Sequence, residues 1–143
     1  MNIRRAGAAD LEAMMVVENA CFHELRFPRD LVRFMLSNAE FTSFMAEEAA
    51  AIGSATIHVS GGSAHLVSIG VLPEHRCRGV AAALMNVAEE EARSRGARTM
   101  ALQVSVVNVG AMNMYLRRGY ATTHCLKDYY GRGKDAYLMQ REL

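Results

Sequence analysis

The chain has 143 residues, 51% of them hydrophobic and 22% charged, with a formal net charge of +1. That length closes one core over residues 1–143 and leaves no room for a second domain. The near-neutral balance excludes the broad basic field that draws proteins to nucleic acid.

Cys21, Cys77 and Cys125 stand far apart, with no CxxC pair and no histidine at zinc-ligand spacing, so neither a metal nor a disulfide framework is expected. Asp10 and Glu12 fall where a signal peptide needs an apolar core, and no apolar run approaches the ~20 residues of a membrane span. A soluble, cytoplasmic chain with no membrane association is the expectation; the oligomeric state is open.

In chain order, Asn2 to Arg5 reads as a first or edge strand. Ala8 to Cys21 reads as a helix striped by Leu11, Met14, Met15 and Ala20, with Asp10 in the first turn, where negative charge suits the helix dipole. The period breaks over Phe22 to Phe27. Pro28 suits the start of a second helix, Arg29 to Leu36, with Leu31, Val32 and Met35 inward. Phe41 to Ala46 and Ala51 to Val59 have strand chemistry, and Ser60-Gly61-Gly62-Ser63 reads as a hairpin turn.

Leu66 to Val71 is apolar or small throughout and reads as a strand buried on both faces, stopped by Pro73. Val80, Leu84, Val87, Ala88 and Ala92 recur at helical spacing until Gly96. Thr99 to Ser105 is then a strand parallel to the previous one, because a helix makes the crossover. Gly110 to Arg118 forms a short helix stopped by Gly119, and Tyr120 to Leu126 with Asp135 to Arg141 forms a closing strand pair around Gly131 and Gly133.

The loop Arg76-Cys77-Arg78-Gly79 joins a strand to a helix. The first N–H groups of a helix have no internal partner and carry partial positive charge, which suits a phosphate. Gly79 offers no Cβ to block the approach, Ala81 is the next smallest residue, and Arg76 and Arg78 add fixed charge.

The wider pattern Val71-x-Pro73-x-x-Arg76-x-x-Gly79-Val80-Ala81 resembles the coenzyme A pyrophosphate motif of the GNAT superfamily of N-acetyltransferases. About thirty residues on, Asn108-x-x-Ala111-x-x-x-Tyr115-x-x-x-Gly119-Tyr120 resembles the second signature of the same superfamily. The tail Tyr129-Tyr130-Gly131-Arg132-Gly133-Lys134-Asp135-Ala136-Tyr137-Leu138-Met139 is similar to RimI-type and archaeal Nat protein N-terminal acetyltransferases.

The resemblance implies an α/β (α+β) GNAT fold: a mixed, mostly antiparallel sheet of about seven strands, strands 4 and 5 parallel and splayed, flanked by about four helices. It implies acetyl-CoA as cosubstrate, without a metal, and direct transfer to the N-terminal α-amine of a protein or peptide. A small-molecule amine acceptor, and a catalytically weak acyl-CoA-binding regulatory module, are the alternatives.

By the same resemblance, the backbone of Ile69, Gly70 and Val71 pairs with the pantetheine arm and polarises the thioester carbonyl. Arg76, Cys77, Arg78, Gly79, Val80 and Ala81 hold the pyrophosphate, and Asn108 contacts the cofactor. Cys77 contributes its amide, not an acyl-enzyme thiol. Tyr115 matches the tyrosine whose hydroxyl serves the leaving sulfur. Glu24, Arg26 and Phe27 border the acceptor's entrance, as do Tyr129 and Tyr130.

The general base is where the chain departs from pattern. Gln103 occupies the strand-five position where RimI-type enzymes commonly carry a glutamate, and an amide cannot take a proton. His65, at the start of strand four, has an imidazole of suitable ordinary pKa and is the expected substitute, with Glu24 or a water relay as the other options.

Overall fold

The structure is a computed structural model describing residues 1–143. Its strands are β1 (Asn2–Ala6), β2 (Phe41–Glu47), β3 (Ala51–Ser60), β4 (Ser63–Val71), β5 (Thr99–Ser105), β6 (Ala121–Leu126) and β7 (Ala136–Glu142). They form one seven-stranded sheet in the order β1-β2-β3-β4-β5-β7-β6. The β4–β5 pair is parallel and every other pair antiparallel, the architecture the motifs imply.

Four helices cover the sheet: α1 (Leu11–Phe22), α2 (Arg29–Ser37), α3 (Val80–Ser94) and α4 (Val109–Arg117). Side chains alternate across a strand, and β2 shows the result. Phe44 and Ala46 join the core that includes Leu84, Met85 and Ala88 of α3, whereas Met45 between them joins Leu11 and Met14 of α1 and Val32 and Met35 of α2. The sheet is therefore sandwiched, with α1 and α2 on one face and α3 on the other.

Three local expectations are corrected. Residues 8–10 form a separate turn of 3-10 helix before α1, and the Asp10 carboxylate accepts the Gly7 N–H. Leu31 is 39% exposed rather than inward, because the face α2 turns to the sheet is the one carrying Val32 and Met35, with Leu36 packed beside them. In β4, Val67, Ser68 and Ile69 are only half-buried, so that strand is not buried on both faces. They border a cavity instead.

A carboxylate that the hydrophobic pattern hides ties the second half together. Glu89 of α3 is 2% exposed and accepts from Arg118 Nη2 (2.7 Å), the Tyr120 hydroxyl (2.7 Å) and Arg141 Nη1 (3.4 Å). Two guanidiniums and a phenol make its burial tolerable, and they join α3 to the residues after α4 and to β7.

At the other end, Arg4 grips Asp10 with both Nη atoms (2.7 and 3.0 Å). That pair, and then the Gly7 N–H, hold the Asp10 carboxyl down to about 2. A carboxyl depressed on folding stabilises the native state above its unfolded pKa and loses that contribution as pH falls through the folded value. Because Arg4 is 41% exposed, solvent screening discounts the effect. Asp10→Asn is expected to cost about 1 kcal/mol at neutral pH, seen as a melting temperature lower by about 3 °C. The gap to wild type should close as pH falls from 3.8 to about 2.

Candidate active site

Parallel pairing of β4 with β5 lasts for three residue pairs only: Ser63 with Thr99, Ala64 with Met100 and His65 with Ala101. On its other side β4 stays paired with β3 to Val71, but the register slips so that Thr56 faces Ser68 while Ile57 faces Leu66. Val67 is the extra residue of a β-bulge, and a bulge bends its strand and increases the local twist. The bend begins where the β4–β5 ladder ends, and the two strands fork.

The fork opens a cavity of about 450 Å³. Leu66 to Ile69 of β4 form one wall and Gln103 to Asn108, from β5 into the following turn, form the other. Ala111 and Tyr115 of α4 close one side. The mouth lies between the elbow joining α1 to α2, with Phe22, Leu25 and Phe27, and the β6–β7 loop, with Tyr130 and Gly133 to Asp135. A carboxylate, Glu18 of α1, also reaches it.

Beyond the fork, residues 73–75 make one turn of 3-10 helix, and Cys77 and Gly79 take positive φ angles of 61° and 81° before α3 begins. Left-handed residues in such a loop fold successive N–H groups into a concave, anion-attracting surface. A Cβ built on Gly79 would meet nothing within 4 Å, so the space in front of the helix terminus is open. The parted strands and the open, amide-lined terminus fit a thioester tail and a diphosphate.

Among the residues expected at the site, Phe27, Ile69, Gln103, Asn108, Tyr115 and Tyr130 line the cavity together. Tyr115 is 4% exposed, and burial, with a smaller contribution from Tyr130, pushes its phenol well above the ordinary range. The neighbouring Tyr120 is committed to Glu89. Asn108 also caps α4, its Oδ1 accepting the Ala111 N–H at 3.2 Å.

Other expected residues lie elsewhere. His65 is outside the cavity lining, and its Nε2 lies 2.6 Å from Gln103 Oε1 in a cross-strand hydrogen bond just below the fork. Glu24 and Arg26 are exposed on the elbow, and Arg26 folds back on the His23 carbonyl. Tyr129 is 49% exposed and stacks edge-on against Tyr130 rather than entering. Arg78 and Cys77 are exposed, and all three cysteines are free thiols.

Two details describe the far end of β4. The Val71 carbonyl accepts from Arg76 Nε (2.8 Å) and lies 3.3 Å from Cys21 Sγ. Arg76 therefore spends Nε on bracing the loop against the end of β4. Gly70 faces α1, with Cys21 Sγ 3.0 Å and Cys21 Cβ 3.1 Å from where a Cβ would stand. The missing side chain lets α1 pack close to β4.

Sequence reading missed Glu18, Ser68, Lys134 and Asp135, all at the cavity. For Glu18 a signal existed. It follows Leu11 and Met14 on the i, i+3, i+7 face that buries α1, and a lone carboxylate there calls for a partner.

Residues 11–120 match the Acetyltransferase (GNAT) family, and the chain belongs to it. It is 38% identical over 80 residues to an N-alpha-acetyltransferase of Saccharolobus solfataricus, a stretch covering 55% of this chain and 48% of that protein, about half its length. An uncharacterised N-acetyltransferase of Methanocaldococcus jannaschii is 30% identical over 97% of this chain and 90% of its own. The crystal structure of the ribosomal-protein-S18-alanine N-acetyltransferase of Escherichia coli superposes with a TM-score of 0.89 at 23% identity, over 99% of this chain and 92% of that one, a likeness of fold.

Gly70 gives a direct test of how α1 is seated. Gly70→Ala should lower stability by about 1–2 kcal/mol in denaturant melts. The double variant with Cys21→Ala should recover part of that loss, because contacting residues do not add independently.

Proposed function

We propose that this chain transfers the acetyl group of acetyl-CoA directly to an amine, the N-terminal α-amine of a protein or peptide. The observation that carries the reading is the forked β4–β5 gap. It brings an open backbone edge, Tyr115 and a mouth walled by two loops to a single cavity. The family membership and the N-alpha-acetyltransferase relative support the same chemistry.

The nucleophile has to be a neutral amine. At pH 7 an α-amine of pKa about 7.8 costs about 1 kcal/mol to deprotonate, whereas a lysine near 10.4 costs about 4.6 kcal/mol. A site whose strand-five residue is an amide, Gln103, suits the easier substrate. In this reading Gln103, braced by His65, holds the amine by hydrogen bonding, and His65 acts through Gln103 rather than as the base. The free N–H groups along β4 beyond His65 support the thioester oxygen as negative charge grows on it.

Tyr115 faces the departing sulfur. Its raised pKa keeps it protonated through neutral pH. Complete proton transfer to a thiolate, whose ordinary pKa is about 8.5, is uphill for a phenol already above about 10. Tyr115 therefore acts as a hydrogen-bond donor that eases the thiolate's departure. Arg78 and the loop amides from Cys77 to Ala81 take the diphosphate.

Isothermal titration with acetyl-CoA, followed by coenzyme A release with arrays of peptide N-termini beside polyamines and amino acids, tests the proposal. Binding and peptide-dependent release are expected. Absence of binding, or turnover of small amines alone, overturns it. Tyr115→Phe should lower kcat by about 10²-fold while leaving acetyl-CoA affinity within about two-fold, in the range a positioned acid contributes.

A further inference from the structure

Glu18 is 5% exposed and yet borders the cavity. Its Oε2 accepts the Phe27 N–H at 3.1 Å and its Oε1 accepts the Ser68 hydroxyl at 3.2 Å. These two bonds tie α1 to the acceptor-side elbow and to the bulged part of β4. A carboxylate offers about four acceptor sites, so two hydrogen bonds leave capacity for a third donor.

The other buried glutamate, Glu89, shows what a structural carboxylate looks like in this fold: two arginines neutralise it. Glu18 has hydrogen bonds and no counter-charge, and burial raises its pKa from the ordinary glutamate range. A buried, unneutralised carboxylate beside a cavity is costly for folding alone. It is well suited to receive a proton.

We propose that Glu18 is the proton acceptor of the acetyl transfer. The assignment rests on the function proposed above and supplies the base that Gln103 cannot be. The neutral amine nitrogen forms a bond to the thioester carbon, and the carbon–sulfur bond breaks with its electron pair going to sulfur. The proton released by the acylated nitrogen passes to Glu18, the sulfur leaves as a thiolate hydrogen-bonded to Tyr115, and Glu18 returns the proton to solvent. Ser68 and the Phe27 N–H hold the carboxylate in place and moderate its basicity.

The titratable groups sharing the cavity are Tyr115 of α4 and Tyr130, Lys134 and Asp135 of the β6–β7 loop, with Cys21 on α1 itself close enough to sense the Glu18 charge. On β4, Ser68 is the polar partner.

The test is the pH dependence of kcat at saturating acetyl-CoA and peptide. Wild type should show activity rising with pH through two titrations: that of the acceptor α-amine, which must be neutral to attack and is common to every variant, and an acid limb set by Glu18. Glu18→Gln, whose amide oxygen still accepts hydrogen bonds, should lose that acid limb and about 10²-fold in kcat while its acetyl-CoA KM and circular dichroism stay near wild type. Glu18→Asp should keep the limb.

Ser68→Ala removes a hydrogen bond that stabilises the ionised form, so it should move the limb to higher pH without abolishing turnover. A purely structural Glu18 would shift neither limb. An unchanged profile in Glu18→Gln overturns the assignment and leaves the acetyltransferase reading standing. A wild-type protein that releases no coenzyme A with any peptide overturns both.

Discussion

Everything at the site depends on a ladder that stops early. Three parallel residue pairs hold β4 to β5, and then the extra residue at Val67 turns β4 aside while its antiparallel pairing to β3 continues. An interior strand normally spends both edges on its neighbours. Here one edge is released inside the protein, and the unpaired backbone groups acquire a cavity to face. The same bend carries the chain toward the Cys77–Gly79 turn, so the cavity and the open helix terminus, the two parts of the proposed cosubstrate site, follow from one interruption.

That interruption has to be supported, because released backbone is expensive to bury. The supports are specific. The His65–Gln103 hydrogen bond clamps the crotch of the fork, and Arg76 with Cys21 occupies the Val71 carbonyl at its far end. Gly70 admits α1 close against β4, and Glu18 ties that helix to Ser68. α1 is thus more than a cover for the sheet, since its seating fixes the wall opposite β5 and the elbow at the mouth.

The two buried glutamates divide the labour. Glu89 sits among Arg118, Arg141 and Tyr120 and joins α3 to the C-terminal strands. Glu18 lies at the cavity with neutral donors only. One carboxylate is matched to cations and serves the fold, while the other has neutral donors only and borders the cavity, as the proposed proton acceptor requires.

Local pattern in the chain was enough for the elements, because period-2 and period-3.6 spacing, Pro28, Gly96 and Gly119 act within a few residues. It was enough, too, for the β4–loop–α3 unit and the family, since Arg76 to Ala81 and Asn108 to Tyr115 are short linear signatures. What spacing could not carry was the pairing of residues distant in sequence. His65 meets Gln103 across 38 positions, and Glu18 meets Ser68 across 50. A bulge is a one-residue slip that leaves the apolar run of Leu66 to Val71 looking continuous. The amino-acid order thus determined which segments are helix or strand and where the loop joining β4 to α3 lies. Tertiary packing alone decided which polar groups face the cavity, because burial and hydrogen-bond partners are set by segments that meet only once the sheet has formed.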